Sequence, residues 1–440
     1  MSAGKAVSPP RFGLRLPRGL AAFEHRNYRL FYFGQLISVS GTWMQTLAQS
    51  WLVLTLTSSA FRLGLVNVFQ FAPVLVFGLV GGVLADRFPK RSLLVVTQGT
   101  ACLLASIMAL LVWTNQIQLW QVYVLAFSLG VVNAVDMPTR QSFVVEMVGR
   151  DHLMNAIALN STLFNSARVI GPAIAGLLLA TVGVAVCFAI NAISYLAVIT
   201  GLLLMRLSPP PERSTERVIT RLREGLSYVR QTPDIFLPII LIGSVATFGM
   251  NFNIWVPLLS KQDLGVGAAG FGVLMSALGA GSLAGALGLA FFGRLPTMRL
   301  LLGAALALGV VEVALAVTAR SLPLLGIMGM LAGLGCLMTT MMAMANTRVQ
   351  STARDALRGR VMSVYMTVFA GTAPFGALVA GAVANTHGAT GSLATGGVIT
   401  VVAALLVALL YRRVVATPVR SGSVMVDREA RQTIQSPSSS

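Results

Sequence analysis

Long apolar runs alternate along this chain with short charged or polar breaks. Twelve runs stand out, each of about the twenty residues a helix needs to cross about 30 Å of hydrocarbon. They extend from Leu30 to Leu54, Leu63 to Ala85, Ser92 to Trp113, Leu119 to Pro138, Asn155 to Thr181 and Ala185 to Met205. They resume from Ile235 to Leu258, Ala269 to Phe292, Met298 to Thr318, Leu322 to Ala345, Arg360 to Ala384 and Gly391 to Tyr411. Between the sixth and seventh runs, Pro209-Pro210-Pro211 precedes a charged segment with Val218, Ile219, Leu222, Leu226 and Val229 at helical spacing. That segment is expected to lie on the membrane surface as an amphipathic helix.

The pattern sets the expected organisation. Residues 1–29 form a basic tail, 30–206 a first six-helix bundle, 207–234 a linker with the amphipathic helix, 235–412 a second six-helix bundle, and 413–440 a polar, disordered tail. The fold class is all-α, integral to a membrane. The two blocks echo one another: Thr139-Arg140 and Arg150-Asp151 follow the fourth run, and Thr347-Arg348 and Arg354-Asp355 follow the tenth. Each pair precedes a helix with an internal proline, Pro172 or Pro374.

Composition agrees: 55% of residues are hydrophobic, 10% are charged and mean hydropathy is +0.79, against about 25% charged in soluble domains. A net charge of +18 raises the question of nucleic acid, which the placement of the charge answers. All of the 32 Lys and Arg except Arg62, Lys261, Arg320 and the intramembrane Arg168 lie on one side of the apolar runs. By the positive-inside rule that side, with both termini, is cytoplasmic, in a multi-pass protein of the plasma (inner) membrane. The collar of cations suits anionic lipid; no nucleic-acid partner is expected. The first 29 residues lack the apolar core of a secretory signal peptide, so the first helix is expected to serve as its own targeting signal.

Chemistry is sparse. Cys102, Cys187 and Cys336 fall inside apolar runs as small hydrophobes, and His25, His152 and His387 are expected to be isolated in terminal or loop positions. No metal-spaced cluster, Ser-His-Asp set or phosphate-binding loop is present, so neither an enzyme, a metal nor a cofactor is expected.

Polar residues inside the runs are the candidates for function, because each costs free energy in hydrocarbon. Gln35, Ser38, Thr42, Gln45, Thr46 and Gln49 share one face of the first helix, and Ser244, Thr247, Asn251 and Trp255 form a thinner stripe on the seventh. Arg168 shares a sector of the fifth helix with Ser161, Asn165 and Pro172. A substrate cavity is assigned to Gln35, Thr42, Gln45, Gln49, Asn165, Arg168, Thr247 and Asn251; interhelical hydrogen bonding is the alternative for both stripes, and for Arg168 it is pairing with a carbonyl or acid that ties helices together. Six methionines between Met328 and Met344 suit either an adaptable site or core filling. Glu312, well inside the ninth helix, reads equally as a lipid-facing or outer-end acid and as a proton carrier.

The turn Gly82-Val83-Leu84-Ala85-Asp86-Arg87-Phe88-Pro89-Lys90-Arg91 resembles the signature Gly-x-Leu-Ala-Asp-Arg-x-Gly-Arg-Arg of the major facilitator superfamily, with Pro89 where that family has Gly. Arg168 to Gly176, with Gly171 and Pro172, is similar to the helix-5 motif of its antiporters, and carries one of the two glycines usual after the proline. Asn27-Tyr28-Arg29-Leu30-Phe31, Gly41-Thr42-Trp43-Met44-Gln45, Asp136-Met137-Pro138-Thr139-Arg140-Gln141 and Arg223-Glu224-Gly225-Leu226 resemble its enterobactin-exporter-like branch.

The resemblance implies two related six-helix bundles and export of siderophore-like, drug-like or other amphipathic small molecules by alternating access, coupled to protons, from a monomer. Lipid flipping or uptake on the same fold is the alternative. It further implies gating by Gly82, Asp86, Arg87, Lys90, Arg91, Asp136 and Arg140, with Asp86, Arg87, Arg91 and Asp136 forming one network; static anchoring by the same charges is the alternative. Gly281 and Gly285 are expected to pack against the helix-5 motif.

Overall fold

The computed structural model describes residues 18–149, 151–206, 226–292, 297–354 and 357–416. Most of the expected amphipathic linker and the tail beyond 416 lie outside the described residues. A 3-10 turn, Arg18–Glu24, leads into α1 (Arg26–Thr57), α2 (Ala60–Arg87), α3 (Lys90–Trp113), α4 (Leu119–Val148), α5 (Leu153–Thr181) and α6 (Val184–Leu203). There follow α7 (Pro233–Phe248), α8 (Phe252–Leu258), α9 (Gly267–Phe292), α10 (Met298–Thr318), α11 (Leu324–Thr352), α12 (Arg358–Gly371) and α13 (Ala373–Ala416). Among the described residues there is no strand.

Among the described residues, ten helical stretches are long and apolar enough to span a membrane. Together with α1, and with α12 and α13 divided at Gly388 (φ 74°), they are consistent with twelve crossings. The burial pattern is that of a protein in lipid. On α3, Leu94, Ala101, Ala105 and Met108 are buried, while Val96, Leu103 and Leu110, spaced by sevens, are exposed. An apolar outward face needs no polar cover where hydrocarbon is the solvent.

Three elements differ from expectation. α4 continues past Pro138 to Val148 and α11 past Ala345 to Thr352. Polar residues such as Glu146 and Arg348 stay helical there because they pair with other helices. The seventh crossing is interrupted. α7 stops at Phe248, residues 249–251 are not helical, and α8 continues through a π-helical turn, Leu259–Asp263. Asn251 Nδ2 donates to the Thr247 carbonyl at 2.7 Å, satisfying one of the backbone groups that the break sets free.

Within the N-terminal half, α1 packs on α5 and α6, and α2 on α4; within the C-terminal half, α9 packs on α11, and α7 and α10 on α13. The halves meet along two seams, α5 with α9 and α2 with α13. Glycines set the closeness of both. A methyl at Gly64 would lie 2.5 Å from the Ala377 carbonyl oxygen, and one at Gly279 would lie 2.5 Å from that of Arg168.

Candidate functional site

The contacts between halves are unevenly distributed along the membrane normal. At the end away from the termini, Lys261 Nζ donates to the Leu54 carbonyl at 2.6 Å, Ser59 Oγ donates to Asn385 Oδ1 at 3.2 Å, and Trp51 stacks on Phe271 with centroids 5.9 Å apart. Both of these hydrogen bonds, the ones that join the halves among the described residues, lie at that end. Going toward the termini, the seams include Arg168 with Gly279 and Leu75 with Gly371. Past them, Gly78, Gly82 and Gly288 face open space.

The seam contacts give way near Arg168, and we take the space between the halves beyond it as a cleft. The side chain is half-buried and its guanidinium carbon lies 5.1 Å from the centre of the Trp43 ring on α1. No carboxylate pairs with it among the described residues. Gly171, one turn further on, brings α5 against Ser40 and Trp43 of α1, since a methyl there would lie 2.6 Å from each. The ring is thereby held under the guanidinium. Asn165 is half-buried and Ser161 exposed, which continues the polar stripe of α5 down the cleft.

The first-helix stripe has another fate. Gln35, Gln45 and Gln49 are buried, and each turns into the N-terminal half. Arg140 on α4 donates to Gln35 Oε1, Asn191 on α6 donates to Gln45 Oε1 at 2.6 Å, and Gln49 Nε2 donates to Gln70 Oε1 on α2 at 3.5 Å. Their face abuts α4, α6 and α2, so they are removed from the cleft; Thr42 stays half-buried with its hydroxyl on the Ser38 carbonyl. On α7, Thr247 is buried with its hydroxyl on the Gly243 carbonyl at 2.7 Å, and Asn251 is half-buried at the break. Met338, Met341 and Met344 are buried in the core of the C-terminal half.

The charged turn is likewise redistributed. Asp136 is buried, accepting from Thr97 Oγ1 and Gln98 Nε2 of α3, both at 2.8 Å, and from Arg140. Lys90 pairs with Glu146 across α3 and α4, and Arg91 donates to the Leu203 carbonyl at 2.7 Å, at the end of α6. Asp86 and Arg87 are exposed, with no hydrogen bond or ion pair among the described residues, and Gly82 meets no neighbour. The expected network of Asp86, Arg87, Arg91 and Asp136 is not assembled in this conformation. Asp136 lies some three turns inside the end of α4, where α3 supplies neutral donors.

The helix-5 motif does lie on the seam with α9, but against other glycines than expected. Gly176 meets Gly272, whose ideal methyl would also lie 3.0 Å from the Pro172 carbonyl oxygen. Gly281 and Gly285 face Ala332 and Cys336 of α11. Two residues turn a helix by about 200°, so Gly279 and Gly281 point to opposite sides. Sequence reasoning also missed Thr97, Gln98, Glu146 and Asn191. An amide, Gln98, in the middle of an apolar run was the available signal.

The sequence matches the transmembrane secretion effector family over residues 18–430. The chain belongs to that family of major facilitator superfamily transporters. It is similar to the staphyloferrin A transporter of Staphylococcus aureus, with 26% identity over 88% of this chain and 96% of that one. It is also similar to the multidrug efflux pump Tap of Mycolicibacterium fortuitum, with 29% identity over 82% of this chain and 89% of that one. The enterobactin exporter EntS of Shigella boydii matches at 27% over 60% of this chain and 63% of its own. Among solved structures, a bacterial homologue of the human lysosomal transporter Spinster, in an inward-facing and unoccupied conformation, aligns with a TM-score of 0.71 at 14% identity, over 91% of this chain and 98% of that one. At that identity the likeness shows the fold alone. The chain is thus a major facilitator transporter, not an enzyme, with the helices of a multi-pass membrane protein.

Proposed function

We propose that this transporter is an exporter of anionic or electron-rich aromatic small molecules, working by alternating access and coupled to protons. Arg168 carries the reading: a guanidinium near the top of the cleft, without an acid partner among the described residues, laid over an aromatic ring. An unpaired cation in low dielectric raises the local concentration of anions and repels cations. The guanidinium also presents two donors to a carboxylate or phenolate while its other face rests on Trp43. Asn165, about one turn earlier on α5, adds a neutral hydrogen-bonding group on the same face as Arg168.

Export is supported by what the relatives are: a multidrug efflux pump and an enterobactin exporter. The cleft opens toward the side that bears the termini and most of the Lys and Arg, which we assign to the cytoplasm. In this reading substrate enters from the cytoplasm, and the seams at Lys261, Ser59 and Gly176 part to release it. Asp86 and Arg87, without partners among the described residues, would find them when the cytoplasmic ends close.

Quenching of Trp43 fluorescence by an anionic aromatic probe, with the other four tryptophans replaced by Phe, tests the site. Saturable quenching that R168A abolishes and R168K weakens is expected. Equal binding of a cationic dye, or binding that survives R168A, would place the substrate elsewhere.

A further inference from the structure

Glu312 has no place in the site described above. It is 0% exposed, on α10 among Leu308, Gly309 and Leu315, and neither carboxyl oxygen has a hydrogen-bond partner. It sits beside the closest crossing of α10 with α13. A methyl at Gly397 would lie 2.9 Å from Glu312 Cβ, and one at Gly309 would lie 2.7 Å from the Gly397 carbonyl oxygen.

One turn along α13, Thr400 is also 0% exposed with an unpartnered hydroxyl. That is unusual in this molecule, where Thr247, Thr318, Thr395 and Ser282 each donate to the carbonyl four residues back. The Thr400 hydroxyl lies instead 2.5 Å from where a methyl would sit on Gly249, at the interruption between α7 and α8. The neighbouring Gly396 abuts the Phe248 carbonyl oxygen and the Trp255 ring at the same interruption. So one stretch of α13, Gly396 to Thr400, touches the acid on one side and the broken crossing on the other.

An ionised carboxylate here would have no compensation. The charged residues of the helices packed on α10 sit at helix ends: Asp234 on α7, Arg348 on α11, and His387, Arg412 and Arg413 on α13. Tyr411 lies near the end of α13, and Cys336 lies against Gly285 of α9. A hard metal cation takes about six or more oxygen ligands, more than one carboxyl and one hydroxyl provide. A proton asks for one. An acid buried in the membrane interior without a partner is a functional group by default, and broken helices are where transporters place coupling-ion sites.

We propose that Glu312 is the coupling-proton site of the C-terminal half, protonated in the conformation described and deprotonated when movement of the α7–α8 interruption against Gly396–Thr400 admits water. This rests on the reading of the chain as a proton-coupled exporter. Release would transfer the carboxyl proton to water and leave a carboxylate, for which the unpartnered Thr400 hydroxyl on the same stretch of α13 is the available donor.

Infrared difference spectra of the full-length purified protein between alkaline and acidic buffer test the site directly. A carboxylic-acid carbonyl band that grows with acid, moves in D2O and is missing from E312Q is expected. Gln has the shape of the neutral acid, so E312Q keeps the fold; T400V, which removes only the hydroxyl, shifts the midpoint of the same band. In proteoliposomes, E312Q loses efflux driven by a pH gradient and keeps probe-for-probe exchange. A band unchanged across the pH range, or full gradient-driven efflux by E312Q, overturns the assignment. Wild-type efflux indifferent to the pH gradient would refute proton-coupled export itself, and the infrared band then decides the site alone.

Discussion

Gly176 and Gly272 pack backbone to backbone: a methyl on either would fall within 2.5 Å of the other's Cα. This is the tightest point of the α5–α9 seam near the end away from the termini, and only the loss of both side chains permits it. A larger residue forces the halves apart there and favours the opposite state. G176L and G272L should each lower efflux severely while leaving each half folded. Spin labels at Arg62 and His387, in a background without native cysteines, should report a longer mean distance; an unchanged distance would mean the seam does not control closure.

Lys261 contributes to the same closure through one charged hydrogen bond, to the Leu54 carbonyl at 2.6 Å. Such bonds contribute about 1.5–3 kcal/mol, so K261M should shift the population toward the state open at that end by about tenfold or more. The same pair of spin labels checks it, since the distance distribution gives both populations.

The Asp136 site is expected to hold the N-terminal half together. Its carboxylate takes two neutral donors from α3 and the Arg140 guanidinium, which in turn reaches Gln35 on α1. Removing one member of a buried ion pair costs about 3–5 kcal/mol, because the other charge is stranded. D136A should therefore lower the thermal midpoint markedly in detergent. D136A with R140L should recover part of the loss; an additive loss would show that the two do not act as a pair.

The N-terminal segment carries a pH-sensitive contact. His25 Nε2 and His152 Nδ1 are 2.8 Å apart, and the Ala22 amide donates to Asn155 Oδ1 at 2.8 Å, so the 3-10 turn is tied to the start of α5. Partial burial, then the neighbouring His152, depress the His25 pKa below its usual 6.5, with Glu24 acting in the opposite direction. A histidine whose folded pKa is lowered binds fewer protons folded than free, so its contact is fully present above pH of about 6.5 and weakens as pH falls below it. Hydrogen exchange of residues 18–24 should accelerate in mild acid. In H152A the acid dependence should diminish; equal dependence would put its origin elsewhere.

The crossings were legible because hydrocarbon demands unbroken apolar stretches of fixed length, and the charge asymmetry ordered them. Even α1, with its row of polar residues, reads as a crossing from its neighbours. The direction of each polar face was not legible. Periodicity places Gln35, Gln45 and Gln49 on one face of α1, yet whether that face meets the cleft or α4 and α6 depends on how the bundle closes. The same ambiguity separated Gly272 and Gly279 from Gly281 and Gly285. The interruption after Phe248 escaped notice because Val256, Leu258 and their neighbours keep the run apolar through it. Arg168 was readable as a group needing an explanation; Trp43 beneath it was not, being distant in sequence.

The central claim is that Arg168 makes the cleft select anions. Efflux from inside-loaded proteoliposomes, comparing an anionic aromatic probe with a cationic dye of similar size, tests it most directly. Wild-type protein should export the anionic probe in preference, and R168A should lose that export without gaining stability or losing its fold. Export of the cationic dye at the wild-type anion rate, or an R168A variant that still prefers the anion, would contradict the account.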